Sequence, residues 1–221
     1  MNNVNNAVCL VLVTALLVCV PAAAQPDDGG LLKDASFERK LPADEGGWDL
    51  FEISMFSKNH ARSGSQSLFN GGFSRTVPYN PFFLGNASGA FQEFPADPGS
   101  QWRLTGYGLT ARPLIGTPAF GILQLSFFDA GGEDLGTVET ADADTKAKAS
   151  NQINNQSAVG EWIFLDTGVV TAPAGTATVQ AFTLYVDYSG SDRTQGVYFD
   201  DLTLYAVDGD EEAKASGSAT P

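Results

Sequence analysis

Three acidic residues stand where strand patterning would normally place apolar side chains. Glu38 closes the segment Asp34-Ala-Ser-Phe-Glu38 near the front of the chain, and Asp200 and Asp201 interrupt the segment from Val197 to Leu204 near its end. A carboxylate carried inward by a strand needs a partner, because an unpaired buried charge is costly. Acids drawn from both ends of one domain could clasp a hard cation such as Ca²⁺, which takes oxygen ligands. They could equally cap strands or pair with Arg and Lys.

Other chemistry is thinly supplied. His60 is the only histidine, and both cysteines, Cys9 and Cys19, fall in the first 24 residues. There is no Gly-x-Ser-x-Gly elbow for a nucleophilic serine, no histidine cluster for zinc and no Gly-x-x-x-x-Gly-Lys-Ser/Thr loop for a nucleotide phosphate. Glycoside hydrolysis needs only two carboxylates across a scissile bond. With 26 Asp and Glu in the chain such a pair can always be drawn, so the count decides nothing.

Those 26 acids stand against 12 Lys and Arg, for a formal charge of −14. Such a surface repels nucleic acid and anionic membranes and suits uncharged ligands. Residues 1–24 read as a signal peptide: Ala7 to Val20 is apolar but too short to span a bilayer, and Ala22-x-Ala24 suits signal peptidase. The expectation is a secreted, extracellular protein whose mature chain has no cysteine, and hence no disulfide to staple its core. No second apolar stretch is long enough for a membrane span.

The elements that must position these residues read as strands. Residues 25–30 form a polar linker, 31–207 the folded domain, and 208–221 an acidic tail rich in small residues that should be disordered. Within the domain, period-2 stretches separated by Gly, Pro, Asn and Asp dominate. Gln101–Ala111, Phe120–Asp129, Trp162–Val170, Ala177–Tyr188 and Val197–Val207 are the main strand candidates, with Ser65–Phe69 and Gly89–Phe94 shorter ones. Thr140–Gly160 is polar and without period, which predicts a surface loop. Many short strands in one domain predict an all-β, antiparallel two-sheet sandwich or jelly roll.

The ordered set Asp34-Ala-Ser-Phe-Glu38, Gly47-Trp48, Ala61-Arg-Ser-Gly-Ser-Gln-Ser-Leu68, Gly89-Ala-Phe-Gln92, Pro98-Gly-Ser-Gln-Trp-Arg-Leu-Thr105, Phe127-Phe-Asp-Ala-Gly-Gly132, Trp162, Ala172-Pro-Ala-Gly-Thr176 and Phe199-Asp-Asp-Leu202 resembles carbohydrate-binding modules of the families 4, 9, 16 and 22 type. The resemblance covers nearly all of 31–207. It implies a galactose-binding-like jelly roll with a structural Ca²⁺ joining the first and last strands. Glu38 and Asp200 would be the side-chain ligands, Asp201 the substitute if the register differs, and backbone carbonyls near Arg62 to Ser65 would complete the shell. Trp102 and Trp162 are expected in the core; Trp48 could be core or surface.

Sugar binding calls for aromatic rings that stack on pyranose C–H faces and planar polar groups that meet hydroxyls, on the outer, concave face of one sheet. Alternation assigns Leu123, Leu125 and Phe127 to the core, and likewise Phe182, Leu184 and Val186, and Trp102 and Leu104. That leaves Arg103, Tyr107, Gln124, Tyr185 and Asp187 as a ligand-binding platform. The expected role is non-catalytic binding of a glycan or polysaccharide. The alternatives are an adhesion or structural sandwich without sugar affinity, or a small glycan-active hydrolase or lyase.

Overall fold

The computed structural model of the 221-residue chain describes residues 30–72, 87–114, 119–140, 151–187 and 195–207. The expected signal peptide, all of the expected linker but Gly30, and the expected acidic tail lie outside the described residues.

The described chain forms β1 (Asp49–Phe51), β2 (Ser54–Ser57), β3 (Ser67–Gly71), β4 (Ala87–Pro95), β5 (Gln101–Leu109), β6 (Ala119–Phe128), β7 (Asp134–Glu139), β8 (Ile163–Asp166), β9 (Val170–Thr171), β10 (Thr178–Asp187) and β11 (Gly196–Val207). They make two antiparallel sheets. One has five strands in the order β1-β4-β10-β6-β7. The other has the order β2-β3-β11-β5-β8, with β9 also paired to β5. The all-β sandwich expected from patterning is the fold observed. No helix among the described residues is long and apolar enough to cross a membrane.

The core lies between the sheets. Leu123, Leu125 and Phe127 of β6, with Val179 and Ala181 of β10, face Trp102 and Leu104 of β5, Leu68 of β3 and Phe199, Leu202 and Leu204 of β11. Burying each large apolar side chain stabilises the fold by about 1.5–3 kcal/mol. The segment after Gly30 runs beside the last strand: the Leu31 N–H donates to the Leu204 carbonyl, and the Leu202 N–H to that of Ala35. Front and back of the domain are thus tied together.

Three expectations need correction. On β10 the phase is reversed: Thr183, Tyr185 and Asp187 point inward, while Phe182, Leu184 and Val186 point outward. At this end the sandwich interior is polar. Asn70 Nδ2 reaches across from β3 to the Thr183 carbonyl and hydroxyl at 3.1 and 3.0 Å, and Ser88 Oγ donates to the Gly71 carbonyl. Trp162 is half-buried rather than in the core. The described part of the supposed surface loop, from Asn151, sends Ile153 into the core, where its backbone pairs with Gly121 in both directions.

Candidate functional site

The structure splits the five expected platform residues among three surfaces. Arg103 and Tyr107 lie on β5, on the outer face of the six-stranded sheet. Arg103 holds Asp166 through two parallel hydrogen bonds, Nε to Oδ1 and Nη2 to Oδ2. That bond raises the Arg103 pKa. Burial pushes the Asp166 carboxyl up, but the Arg103 guanidinium and the Gly168 N–H outweigh it and the net shift is downward. The Tyr107 ring lies under the Arg62 guanidinium, 3.5 Å from carbon to centroid, and against Phe164 at 5.2 Å. Gln124 lies on the outer face of the other sheet. Tyr185 is fully buried and Asp187 nearly so, both on the inner face. These five residues therefore do not form one platform.

A different constellation appears on the outer face of the five-stranded sheet. The register aligns Asp49, Phe91, Phe182, Gln124 and Glu139 in one continuous row across all five strands, from β1 through β4, β10 and β6 to β7. At a strand spacing of about 4.8 Å the row spans roughly 19 Å. Phe91 and Phe182 are half-buried, with ring centroids 5.2 Å apart and planes tilted by 34°. A second row, Glu93, Gln180, Ser126 and Thr137, runs beside it. Its polar groups are already oriented. Gln180 Nε2 donates to Glu93 Oε2 at 2.7 Å, Gln124 Nε2 to Ser126 Oγ at 2.9 Å, and the Ser126 and Thr137 hydroxyls share a 2.8 Å bond. On the other side lies a buried apolar cluster, Ile122, Leu184 and Val186, against which Phe51, Ala87, Phe120 and Phe182 itself pack. A pair of rings flanked by amides and carboxylates can stack on a sugar ring and hydrogen-bond its hydroxyls.

Sequence reasoning missed Asp49, Phe91, Phe182 and Glu139. Phe182 reads as core because its strand carries apolar residues on both faces. Cross-strand register, which no single segment contains, assembles the row.

The three acids expected to bind a cation converge on one loop. Ser65 N–H, Ser65 Oγ and Gln66 N–H all donate to Glu38 at 2.8–3.0 Å. Arg62 N–H and Ser63 N–H donate to Asp200 Oδ2 at 2.7 and 3.3 Å. Arg62 Nη1 and Ser63 Oγ reach Asp201. At residues 62, 63, 65 and 66 the loop thus turns N–H donors, not the carbonyls expected, toward the two carboxylates. A bulge between Asp200 and Thr203, with Asp201 at φ +49°, sets the adjacent acids against this loop.

Burial pushes Glu38 up, but its hydrogen bonds from Ser65 and Gln66 and the Lys58 charge outweigh this, and the net shift is downward. Asp200 behaves oppositely. It is fully buried, and burial, helped by the Asp201 charge, pushes its carboxyl up to about 7. Nearby, Gln66 Nε2 donates to the Phe37 and Glu38 carbonyls, while Gln66 Oε1 is buried and accepts no hydrogen bond. Backbone N–H groups of Arg62, Ser63 and Asp201 satisfy Asp200, so Gln66 Oε1 is the oxygen of this loop left without a donor. Among the described residues no three His, Cys, Asp or Glu side chains cluster. Amide and backbone carbonyls would have to complete the shell.

No protein-family model matches the sequence, and no curated protein is similar to it. Solved structures are similar. The C-terminal family 22 carbohydrate-binding module of a Clostridium thermocellum protein aligns over 82% of this chain and 96% of its own, at 15% identity and TM-score 0.53. A xylan-binding domain of the same module family aligns over 78% of this chain and 92% of its own, at 14% identity and TM-score 0.51. The fold is that of carbohydrate-binding modules. The chain also spans 21% of the enzymatically active domain of a bacteriophage CBA120 tailspike protein, at 14% identity and TM-score 0.47.

Proposed function

We propose that this chain is an exported, non-catalytic glycan-binding module whose ligand lies across the outer face of the five-stranded sheet. The observation that carries this reading is the row Asp49–Phe91–Phe182–Gln124–Glu139. Its two rings offer an apolar floor at the centre, and its amide and carboxylates flank that floor. Hydroxyl-rich, uncharged chains suit such a surface, because three carboxylates (Asp49, Glu93 and Glu139) would repel an anionic one. The sandwich that frames the row is shared with modules described as carbohydrate-binding and xylan-binding, so xylan is the first ligand to try. Export rests on the signal-peptide pattern of residues 1–24.

A structural Ca²⁺ belongs to the same proposal. Glu38, Asp200 and Gln66 Oε1 would hold it, and its role would be to fix the 62–66 loop to both ends of the domain.

One placement favours a second reading. Asp49 pairs with Phe91, so Glu93, two residues along β4, lies on the diagonal from Asp49, where strand backbones set residues about 7–8 Å apart and the two side chains extend from the same face. Inverting glycoside hydrolysis uses carboxyl groups about 6.5–9.5 Å apart. Incubation with xylan and a panel of neutral polysaccharides separates the two. Binding without release of reducing ends supports the module; release abolished by Asp49→Asn and Glu93→Gln makes it an enzyme.

A further inference from the structure

A second site lies on the opposite sheet, independent of the glycan row. Where β5 runs out into residues 110–112 and β11 begins, the surface encloses a cavity of about 200 Å³ lined by Phe69, Thr110, Arg112, Gly196 and Tyr198, among others. Pockets for drug-sized ligands run to about 300–1,000 Å³, so this one takes a single ring.

Its floor is aromatic. Phe69 and Tyr198 are cross-strand partners on β3 and β11, with ring centroids 4.8 Å apart and planes at 46°. His60 packs edge-on against Tyr198 at 4.7 Å and restrains that ring. Gly196 is essential to the shape: a Cβ there would collide with the Phe69 ring and the Asn70 carbonyl.

Its wall is cationic. Four arginines fall among the described residues. Arg39 faces Asp34 at 3.9 Å, Arg62 pairs with Asp201 and Arg103 with Asp166. Arg112 is exposed and forms no ion pair with any described residue. In a chain with 14 more acids than bases, a guanidinium left over at the wall of an aromatic cavity is set to receive a carboxylate from outside. The Tyr198 hydroxyl makes no hydrogen bond with a described residue either, so it can meet a ligand hydroxyl.

We propose that this cavity binds one uronic acid residue, a pyranose whose C–H face rests on Phe69 and Tyr198 and whose carboxylate meets Arg112. The charge preference is opposite to that of the five-stranded face, so the protein would hold a neutral backbone on one side and an acidic sugar on the other.

Heteronuclear NMR titration of the isotopically labelled full chain tests this, with sodium glucuronate, glucose and sodium acetate as probes at constant ionic strength. Glucuronate should shift the amides of Thr110, Ala111 and Gly196 saturably. Glucose and acetate should each bind about tenfold more weakly or worse, since each offers only half of the recognition. Arg112→Gln should weaken glucuronate by about tenfold and leave the melting temperature unchanged, because the exposed side chain forms no ion pair with a described residue. Absence of saturable shifts, equal binding of glucose or acetate, or an Arg112→Gln variant that binds like the parent would each overturn the proposal. None of these outcomes depends on whether the opposite face binds glycan.

Discussion

Phe91 and Phe182 stand opposite each other on neighbouring strands, their ring centroids 5.2 Å apart, on a sheet face that points away from the core. Apolar rings on an outer face have no part in the sandwich interior. Here Phe91 is the second and Phe182 the middle residue of a row that ends in a carboxylate on each edge strand. Phe182 also packs against the buried Ile122, Leu184 and Val186 on that face, which holds its ring in place beside Phe91.

The row predicts which tyrosines are irrelevant to binding. Tyr107→Ala should leave glycan affinity within about twofold, because Tyr107 lies on the opposite sheet beneath Arg62. Tyr185→Ala should destabilise the fold by about 3–5 kcal/mol through the cavity left at a fully buried position, with the folded fraction still binding. Calorimetric melting and titration of both variants check this; loss of affinity in folded Tyr107→Ala would count against the row.

Much of the fold was legible in the sequence, and the reason is period-2 alternation over long strands. β5 and β6 carry apolar side chains inward and polar or mixed ones outward, so their existence and phase could be read; β11 could be located, but its bulge between Asp200 and Thr203 switches the inward set from Val197 and Phe199 to Leu202 and Leu204. β10 could be located but not phased: Val179 and Ala181 compete with Phe182, Leu184 and Val186, and its inner end is a hydrogen-bonded polar interior that mimics a solvent face. β1, β2 and β7 escaped notice because they are short, and β7, Asp-Leu-Gly-Thr-Val-Glu, is an edge strand with few apolar side chains. The acids Glu38 and Asp200 were legible as anomalies in strand patterning; that they grip one loop from two sides required the tertiary structure.

Asp200 predicts an unusual pH dependence. Unfolded, its carboxyl titrates near 3.9, as an ordinary aspartate does. Folded, burial first and the Asp201 charge second push it up to about 7. Between these values the folded state holds a proton that the unfolded chain lacks, so stability falls as pH rises through about 4 to 7. Glu38 and Asp166 shift downward; the stability they contribute is lost as pH falls through their folded values, below that window. Melting curves in chelator from pH 4 to 8 should show the decline, and Asp200→Asn should flatten it. Added Ca²⁺ above pH 7 should raise the melting temperature by mass action in the parent and not in Asp200→Asn. A calcium-insensitive parent would remove the cation from the account.

Gly64 should not tolerate a side chain. Its φ is +59°, and a Cβ would fall inside contact distance of Glu38 Oε1. Gly64→Ala should cost about 1–3 kcal/mol, or about 2–4 °C in melting temperature for each kcal/mol. It should also weaken any calcium response, because it displaces Glu38 from Ser65 and Gln66. An unaltered melting curve would show that the loop is not held as described.

The most direct test of the central claim is titration of the chain with soluble xylan and neutral oligosaccharides, parent against Phe182→Ala and Phe91→Ala. Truncating a central aromatic contact costs about 2 kcal/mol or more, roughly 30-fold in affinity. Saturable binding is expected for the parent and a loss of about that size in each variant, with melting curves showing that both remain folded. Folded variants that bind as tightly as the parent would contradict it.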